Sequence, residues 1–260
     1  MNIHQVFIND DGTLPDYFPE FSVKCTNSLL NFYPDANYHL YSGKEIENII
    51  IQNFESEVYR AYKKLNAYAC RCDLARYCLL YLYGGLYVDL NVYFLTKLEG
   101  LESMEFYAFR DLPYLSKHYW AVHTSIIYAK SKSKIAKCAI DLVVENCKKE
   151  YYGIDALDVT STTVLGRSIV LSSHNSQFVN TQGQLDYIPK TFIPEKKLKE
   201  IKKLGYNNDV FLGFITDDDI TIALRKPSSG GDISSLGFSG TNNYVEIWKN
   251  KNSYDTSIKI

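Results

Sequence analysis

The chain has 260 residues, of which 46% are hydrophobic and 22% charged, and a net charge of −2. These values are those of a globular protein and exclude wholesale disorder, a collagen and a coiled coil. The near-neutral charge argues against nucleic acid as a partner held by bulk electrostatics. The 22 tyrosines serve equally to fill a core and to stack on sugars or bases.

Residues 1–10 lack the basic and apolar segments of a signal peptide. No run of 18 apolar residues is present to cross a membrane. Six cysteines are scattered along the chain, too sparse for a disulfide scaffold, and they read as reduced thiols of a cytoplasmic protein. Cys70-Arg71-Cys72 has no second pair to complete a zinc site.

Taken in chain order, residues 3–8 read as a buried strand ending in the turn Asn9-Asp10-Asp11-Gly12. A helix is predicted over residues 19–32, stopped by Tyr33-Pro34-Asp35, then a strand over 38–41. Residues 43–53 read as a helix with Ile46, Ile49 and Ile50 on one face, and a further helical stretch runs to 65. The clearest helix spans 69–83, where Leu74, Tyr77, Cys78, Tyr81 and Leu82 form one apolar stripe. Asp73 and Arg76 lie three apart, off that stripe. Gly84-Gly85 ends this helix with a left-handed cap, and residues 86–88 follow as a strand. The second half reads as a strand (121–129), two helices (134–149 and 161–173) and shorter strands up to 225. Residues 226–243 are a Gly/Ser-rich loop of the length expected of a lid or binding loop. Interleaved helices and strands make the class α/β.

The segment Tyr83-Gly84-Gly85-Leu86-Tyr87-Val88-Asp89-Leu90-Asn91 points to chemistry. Residues two apart on an extended chain face the same way, so Asp89 and Asn91 can meet one ligand beyond the carboxyl end of the strand, where open α/β sheets bind ligands. Carboxylate and amide oxygens suit a hard cation such as Mn²⁺ or Mg²⁺. Asp217-Asp218-Asp219 also fits an Asp-x-Asp pattern but reads as a solvated turn.

The stretch from Asp73 to Asn91 resembles the signature of sugar-transferring enzymes that carry a DxD motif. These include bacterial capsule and lipopolysaccharide glycosyltransferases, the yeast-type initiating α-1,6-mannosyltransferases and, more distantly, the large clostridial glucosylating toxins. Their pattern, Ser/Ala-Asp-x-x-Arg followed by Tyr-x-x-Gly-Gly-x-Tyr-x-Asp-x-Asp, is matched by Asp73, Arg76, Tyr83, Gly84, Gly85, Tyr87 and Asp89, with Asn91 at the last position. The first strand, Ile3-His4-Gln5-Val6-Phe7-Ile8, is similar to the family's Ile-His-x-x-Trp opening. Ser125-Ile126-Ile127-Tyr128-Ala129, Leu157-Asp158-Val159-Thr160 and Tyr244-Val245-Glu246-Ile247-Trp248 resemble later family blocks, with Ser161-Thr162 where Gly-Pro is usual.

This resemblance implies a GT-A fold: one α/β domain over residues 1–260, with a mixed, mostly parallel Rossmann-like sheet flanked by helices. Residues 1–110 would bind the nucleotide-sugar, and residues 111–260 the acceptor, with residues 226–243 as the lid. Asp89, Asp73 and Arg76 would be catalytic. Val6, Phe7, Ile8, Asp73, Arg76, Tyr87, Leu90 and Trp248 would bind the donor, Phe7 by stacking on the base. Asp89, Asn91, Asn243 and Glu246 would hold Mn²⁺ or Mg²⁺. His123 and Asp158 are acceptor-side candidates, whereas His4 reads as a structural histidine.

The implied activity is retaining transfer of a hexose or N-acetylhexosamine from a nucleotide-sugar, a UDP-sugar before a GDP-sugar. The acceptor would be a saccharide or lipid-linked saccharide, with peripheral contact at the inner face of the membrane in the latter case. Two other readings are a toxin-like protein glycosyltransferase and a nucleotide-sugar-binding protein that has lost catalysis, the latter prompted by Asn91. On the ordinary reading, Glu246 and Trp248 would belong to a terminal strand.

Overall fold

The computed structural model describes residues 1–112, 117–172, 179–180, 183–202, 210–226, 233 and 242–260. Strand β1 (Asn2–Phe7) is followed by helix α1 (Glu20–Phe32), strand β2 (Asn37–Ser42) and helices α2 (Gly43–Asn53), α3 (Ser56–Lys64) and α4 (Tyr68–Tyr83). Strands β3 (Gly85–Val88), β4 (Val92–Phe94), β5 (Phe106–Arg110) and β6 (Val122–Ala129) come next, then helices α5 (Lys134–Lys149) and α6 (Thr162–Ser172). Strands β7 (Val179–Asn180) and β8 (Gln184–Pro189), helix α7 (Glu195–Lys202), strands β9 (Val210–Ile215) and β10 (Thr221–Arg225) and helix α8 (Tyr244–Lys249) follow among the described residues.

The strands form one sheet in the order β2-β1-β3-β6-β5-β8-β9-β10-β4, with β7 paired to β5 off this path. The sheet is mixed, as expected, and its antiparallel share is larger than a mostly parallel reading allows. β1 pairs in parallel with β2 and β3, and β5 with β7 and β8, while the β3–β6, β5–β6, β8–β9, β9–β10 and β10–β4 pairs are antiparallel. The connections explain this: β9 and β10 are joined by a tight turn through Thr216 and Ile220, while β3 meets β6 and β4 meets β10 as strands that are not consecutive in the chain, so no βαβ crossover sets the direction of these pairs. β4, β5, α7 and the helical form of residues 244–249 are the elements that periodicity did not reveal.

Side chains of β1 and β3 alternate between two cores. Ile3, Leu86 and Val88 pack with Leu29 of α1 on one face. Val6, Ile8 and Tyr87 pack with α2–α6 on the other, through Ile46, Tyr62, Leu74 and Ile140. Helix α4 lies in the middle of this second layer. Its buried surface is wider than the expected stripe and takes in Asp73, Ala75, Arg76 and Leu79, as befits a helix covered on several sides. The surface ion pair that Asp73 and Arg76 would ordinarily make is therefore an interior one.

Gly84 and Gly85 bring α4 directly into β3. Both have positive φ, 60° and 103°. A Cβ on Gly85 would lie 2.3 Å from the Asn2 carbonyl oxygen, and one on Gly84 would lie 2.5 Å from the Ser131 nitrogen. The turn thus needs glycine for its conformation and for close approach to β1 and to the segment after β6.

Candidate active site

A cavity of about 330 Å³ opens beyond the carboxyl ends of β1 and β3. Its walls include Val6, Phe7 and Ile8; Tyr68, Ala69, Cys70, Cys72, Asp73 and Arg76 on α4; Tyr87, Asp89, Leu90 and Asn91; Asp111 and Leu112; His123, Thr124 and Ser125; Ala156 and Leu157; Thr160 to Thr162 leading into α6; and Leu185 of β8. Arg225 at the end of β10 and Tyr244 also reach it. The sheet order explains the assembly, because β1, β3, β6 and β5 are successive neighbours and their adjoining ends share one edge.

Arg76 is the centre of the polar wall. Its guanidinium is 3.2 Å from Asp73 Oδ1 and 3.3 Å from Asp89 Oδ1. It also donates to the Thr124 carbonyl and lies 4.5 Å from the centre of the Tyr87 ring. Burial disfavours its charge, but Asp89, Tyr87 and Asp73 outweigh burial and leave the group firmly protonated. Asp73 Oδ2 accepts from Thr160 Oγ1 at 2.7 Å. Burial raises the Asp73 pKa to about 6, against the downward pull of Arg76 and Thr160.

Asp89 is the most exposed member, with 24% of its side chain accessible. Tyr87 donates its hydroxyl to Oδ1 at 2.9 Å, and Ser125 donates to Oδ2 at 2.6 Å. The Asp89 N–H in turn bonds the Ser125 carbonyl. The carboxylate is thus pre-aimed from both sides, with lone pairs left for a ligand. Asn91 donates Nδ2–H to the Lys226 carbonyl at 3.1 Å, and its Oδ1 is buried without a hydrogen-bond partner. A buried orphan acceptor beside a carboxylate is a donor set that fits a hard divalent cation.

The other expected ligands are elsewhere. Asn243 caps α8, its side chain accepting from the Val245 and Glu246 N–H groups. That cap is why residues 244–249 form a helix rather than the expected terminal strand. Glu246 is exposed, and Trp248 donates Nε1–H to the Tyr152 carbonyl at 2.7 Å. Asn243, Glu246 and Trp248 do not line the cavity. Val6, Phe7, Ile8 and Leu90 do line it, but each is over nine-tenths buried, and Phe7 stands edge-on to Phe18.

Residues 227–232 and 234–241 of the expected lid lie outside the described residues. Its two feet are described. Lys226 is bonded to Asn91, and Asn242 accepts from the Tyr68 N–H and donates to the Asn66 carbonyl.

Asp158, an acceptor-side candidate, is buried at the end of a short 3-10 turn (Ala156–Asp158) and is not a wall residue. It accepts from the Ile154 N–H at 2.7 Å and lies 3.1 Å from His118. His118, Asp155 and Asp158 bring one ligand atom each within 4.8 Å of one another, a His/Asp cluster able to coordinate a divalent ion. His4 donates Nε2–H to the Gly84 carbonyl at 2.8 Å and accepts from the Tyr41 hydroxyl at 3.2 Å, away from the cavity. Sequence reasoning missed Asp111 and Arg225, lone polar residues at the ends of short strands with nothing in their neighbours to mark them. It also missed the support given by Thr160, although Leu157-Asp158-Val159-Thr160 resembles a family block.

Residues 19–108, about a third of the chain, match the family described as "Glycosyltransferase sugar-binding region containing DXD motif". That segment is homologous to the corresponding region of those enzymes. The chain is 29% identical over 90 residues to an uncharacterized glycosyltransferase of Acanthamoeba polyphaga mimivirus, which covers 35% of this chain and 34% of that protein. It is 26% identical over 98 residues to inositol phosphoceramide mannosyltransferase 3 of Schizosaccharomyces pombe, covering 34% and 27%. The chain therefore spans about a third or less of the length of the curated relatives it matches. Among solved structures it is similar to the PaToxG glycosyltransferase (TM-score 0.49, 15% identity, 97% of this chain and 83% of that one). It is also similar to the ligand-free glycosyltransferase domain of the YGT toxin (TM-score 0.36, 10% identity, 57% and 53%).

Proposed function

We propose that this chain transfers a hexose or N-acetylhexosamine from a nucleotide-sugar, a UDP-sugar before a GDP-sugar, to a hydroxyl of a saccharide acceptor, with retention of configuration. One observation carries the reading. Asp73, Arg76, Asp89 and Asn91, all within the segment homologous to a sugar-binding region, converge on one cavity of a size that suits a small ligand.

Asp89 and Asn91 would hold Mn²⁺ or Mg²⁺. When bound, the ion neutralises charge on the departing diphosphate. The protein's own residues do the remainder. Arg76, charged and buried, stabilises negative charge that grows at its side of the cavity. Asp73, held by Thr160, accepts hydrogen bonds from sugar hydroxyls and fixes the orientation of the donor. Tyr87 and Ser125 keep Asp89 in place, so little reorganisation accompanies reaction. No separate protein nucleophile is invoked, and the leaving diphosphate takes the acceptor proton.

The test is ligand-induced thermal stabilisation with a panel of UDP- and GDP-sugars, with and without Mn²⁺, followed by assay of donor consumption. At 100 times its dissociation constant a specific donor stabilises the fold by about 2.7 kcal/mol. A manganese-dependent shift that Asp89→Ala abolishes, together with turnover, is the expected result. A shift without turnover identifies a nucleotide-sugar-binding protein instead, and no shift in folded protein overturns the reading.

A further inference from the structure

Strand β6 opens with a wide bulge. Ala108 of β5 pairs with Ile127 of β6, but the next residue, Phe109, pairs with His123. One step along β5 therefore corresponds to four along β6, and Thr124 to Ile126 bow away from that partner. Bulges beside sites re-aim the strand's groups, and this one re-aims two backbone groups and one side chain. It turns the Thr124 carbonyl to Arg76. It turns the Ser125 hydroxyl to Asp89. It also frees the Ser125 N–H from the β5 ladder, and that N–H donates to His123 Nδ1 at 3.2 Å.

This last bond fixes the imidazole tautomer. Nδ1 presents its lone pair to Ser125, so the proton of the neutral ring resides on Nε2. The ring is 6% exposed, lines the cavity and stands edge-on to Phe214 with ring centres 5.3 Å apart. Among the described residues Nε2 has no hydrogen-bond partner. Burial, then Arg225 and Arg76, push the pKa well below the usual histidine value. A ring so placed is a donor through Nε2 and does not act as a base.

We propose that His123 donates its Nε2–H to an oxygen of the acceptor saccharide, and so fixes where the acceptor lies in the cavity. The assignment rests on the sugar-transfer reading above. It follows from order along the sheet edge: β1 and β3 carry the end given to the donor, whereas His123 on β6 shares its end of the cavity with Asp111, after β5, and Leu185 of β8.

Two substitutions separate this role from the bulge. Asn at 123 keeps a short acceptor able to bond the N–H two residues on, a bond asparagine makes routinely, but removes Nε2–H. Gln at 123 carries an amide N–H toward the Nε2 position but does not cap the bulge in the same way. The measurements are UDP-sugar affinity with Mn²⁺ by calorimetry, hydrolysis of that UDP-sugar, and transfer to a panel of p-nitrophenyl glycosides.

In His123→Asn, donor affinity and hydrolysis are expected within about twofold of wild type, consistent with an intact fold, while the KM for glycoside rises about five- to tenfold, the value of one lost hydrogen bond to a bound substrate. His123→Gln is expected to recover part of that KM while melting at lower temperature. Unchanged glycoside KM in His123→Asn overturns the proposal and leaves the sugar-transfer reading standing. Equal loss of donor affinity also overturns it, by moving His123 to the donor end. Wild-type protein that neither binds nor consumes any nucleotide-sugar overturns both.

Discussion

Asn91 and Lys226 are joined by two hydrogen bonds in opposite senses. The Lys226 N–H donates to the Asn91 carbonyl, and the Asn91 side-chain amide donates to the Lys226 carbonyl, each at 3.1 Å. An aspartate has no N–H for the second bond. This gives a physical reason for the residue by which the chain departs from the Asp-x-Asp pattern: the amide spends its donor on the foot of the following loop and keeps its oxygen for the cavity. Asn91→Asp is expected to bind Mn²⁺ more tightly, through its added charge. It is also expected to lower stability by about 1–2 kcal/mol, because a carboxylate then faces a carbonyl. Calorimetric Mn²⁺ titration and urea unfolding read the two effects separately.

Arg76 holds Asp73, Asp89 and the Thr124 carbonyl at once. A lysine offers one compact ammonium in place of the planar fork. Arg76→Lys keeps the charge but loses the fork's simultaneous contacts, and is expected to cost about 1–3 kcal/mol of stability and to abolish turnover. Urea unfolding and donor consumption check this. A variant as stable as wild type would mean that the buried carboxylates find other partners.

Ser125 touches Asp89 but lies outside the proposed ligand set. Removing a group that orients a metal ligand typically weakens metal binding by about 10–100-fold. Ser125→Ala is expected to fall in that range for Mn²⁺, with a melting temperature close to wild type. Mn²⁺-dependent stabilisation by a UDP-sugar is the readout.

Acid should weaken the fold through His4. Burial, opposed by the bond to Gly84 and reinforced by His39, lowers its pKa below 6.5. The unfolded chain then binds the proton more readily than the folded one. His4 therefore contributes stability that is present above pH 6.5 and lost as pH falls through the folded value, at up to about 1.4 kcal/mol per pH unit. Asp73 acts oppositely, since its raised pKa favours the folded state as pH falls from about 6 toward 4. The difference between wild type and His4→Gln isolates the histidine. Unfolding free energies at pH 7.5 and 5.5 are expected to converge for the two proteins at the lower pH.

The placing of several candidate residues on one cavity was legible because they are close in sequence. Asp73, Arg76, Tyr87, Asp89 and Asn91 sit on a helix, a two-glycine turn and a strand, whose periodicities fix their relative directions. What was not legible depends on residues far apart. The interior setting of the Asp73–Arg76 pair comes from α5, β1 and β6 covering α4 and from Thr160 bonding Asp73. The Asn243 cap that turns residues 244–249 into a helix competes with a pattern that suits a strand equally well. The β6 bulge shows only in its register against β5, and no property of Thr124 or Ser125 announces it. The short strands β4 and β5 carry too few residues for alternation to show.

The pairing of β4 with β10 has a consequence for assembly. Asn91 and Lys226 are 135 positions apart, and β4, just after Asn91, has β10 as its sheet neighbour. A chain emerging from the ribosome exposes Asp73, Arg76, Asp89 and Asn91 long before the strand that secures them exists. Contacts of such separation form late, after the local ones. The end of the cavity proposed to hold the cation is therefore completed only when synthesis has passed residue 226, so unfinished chains carry its residues without their assembled arrangement.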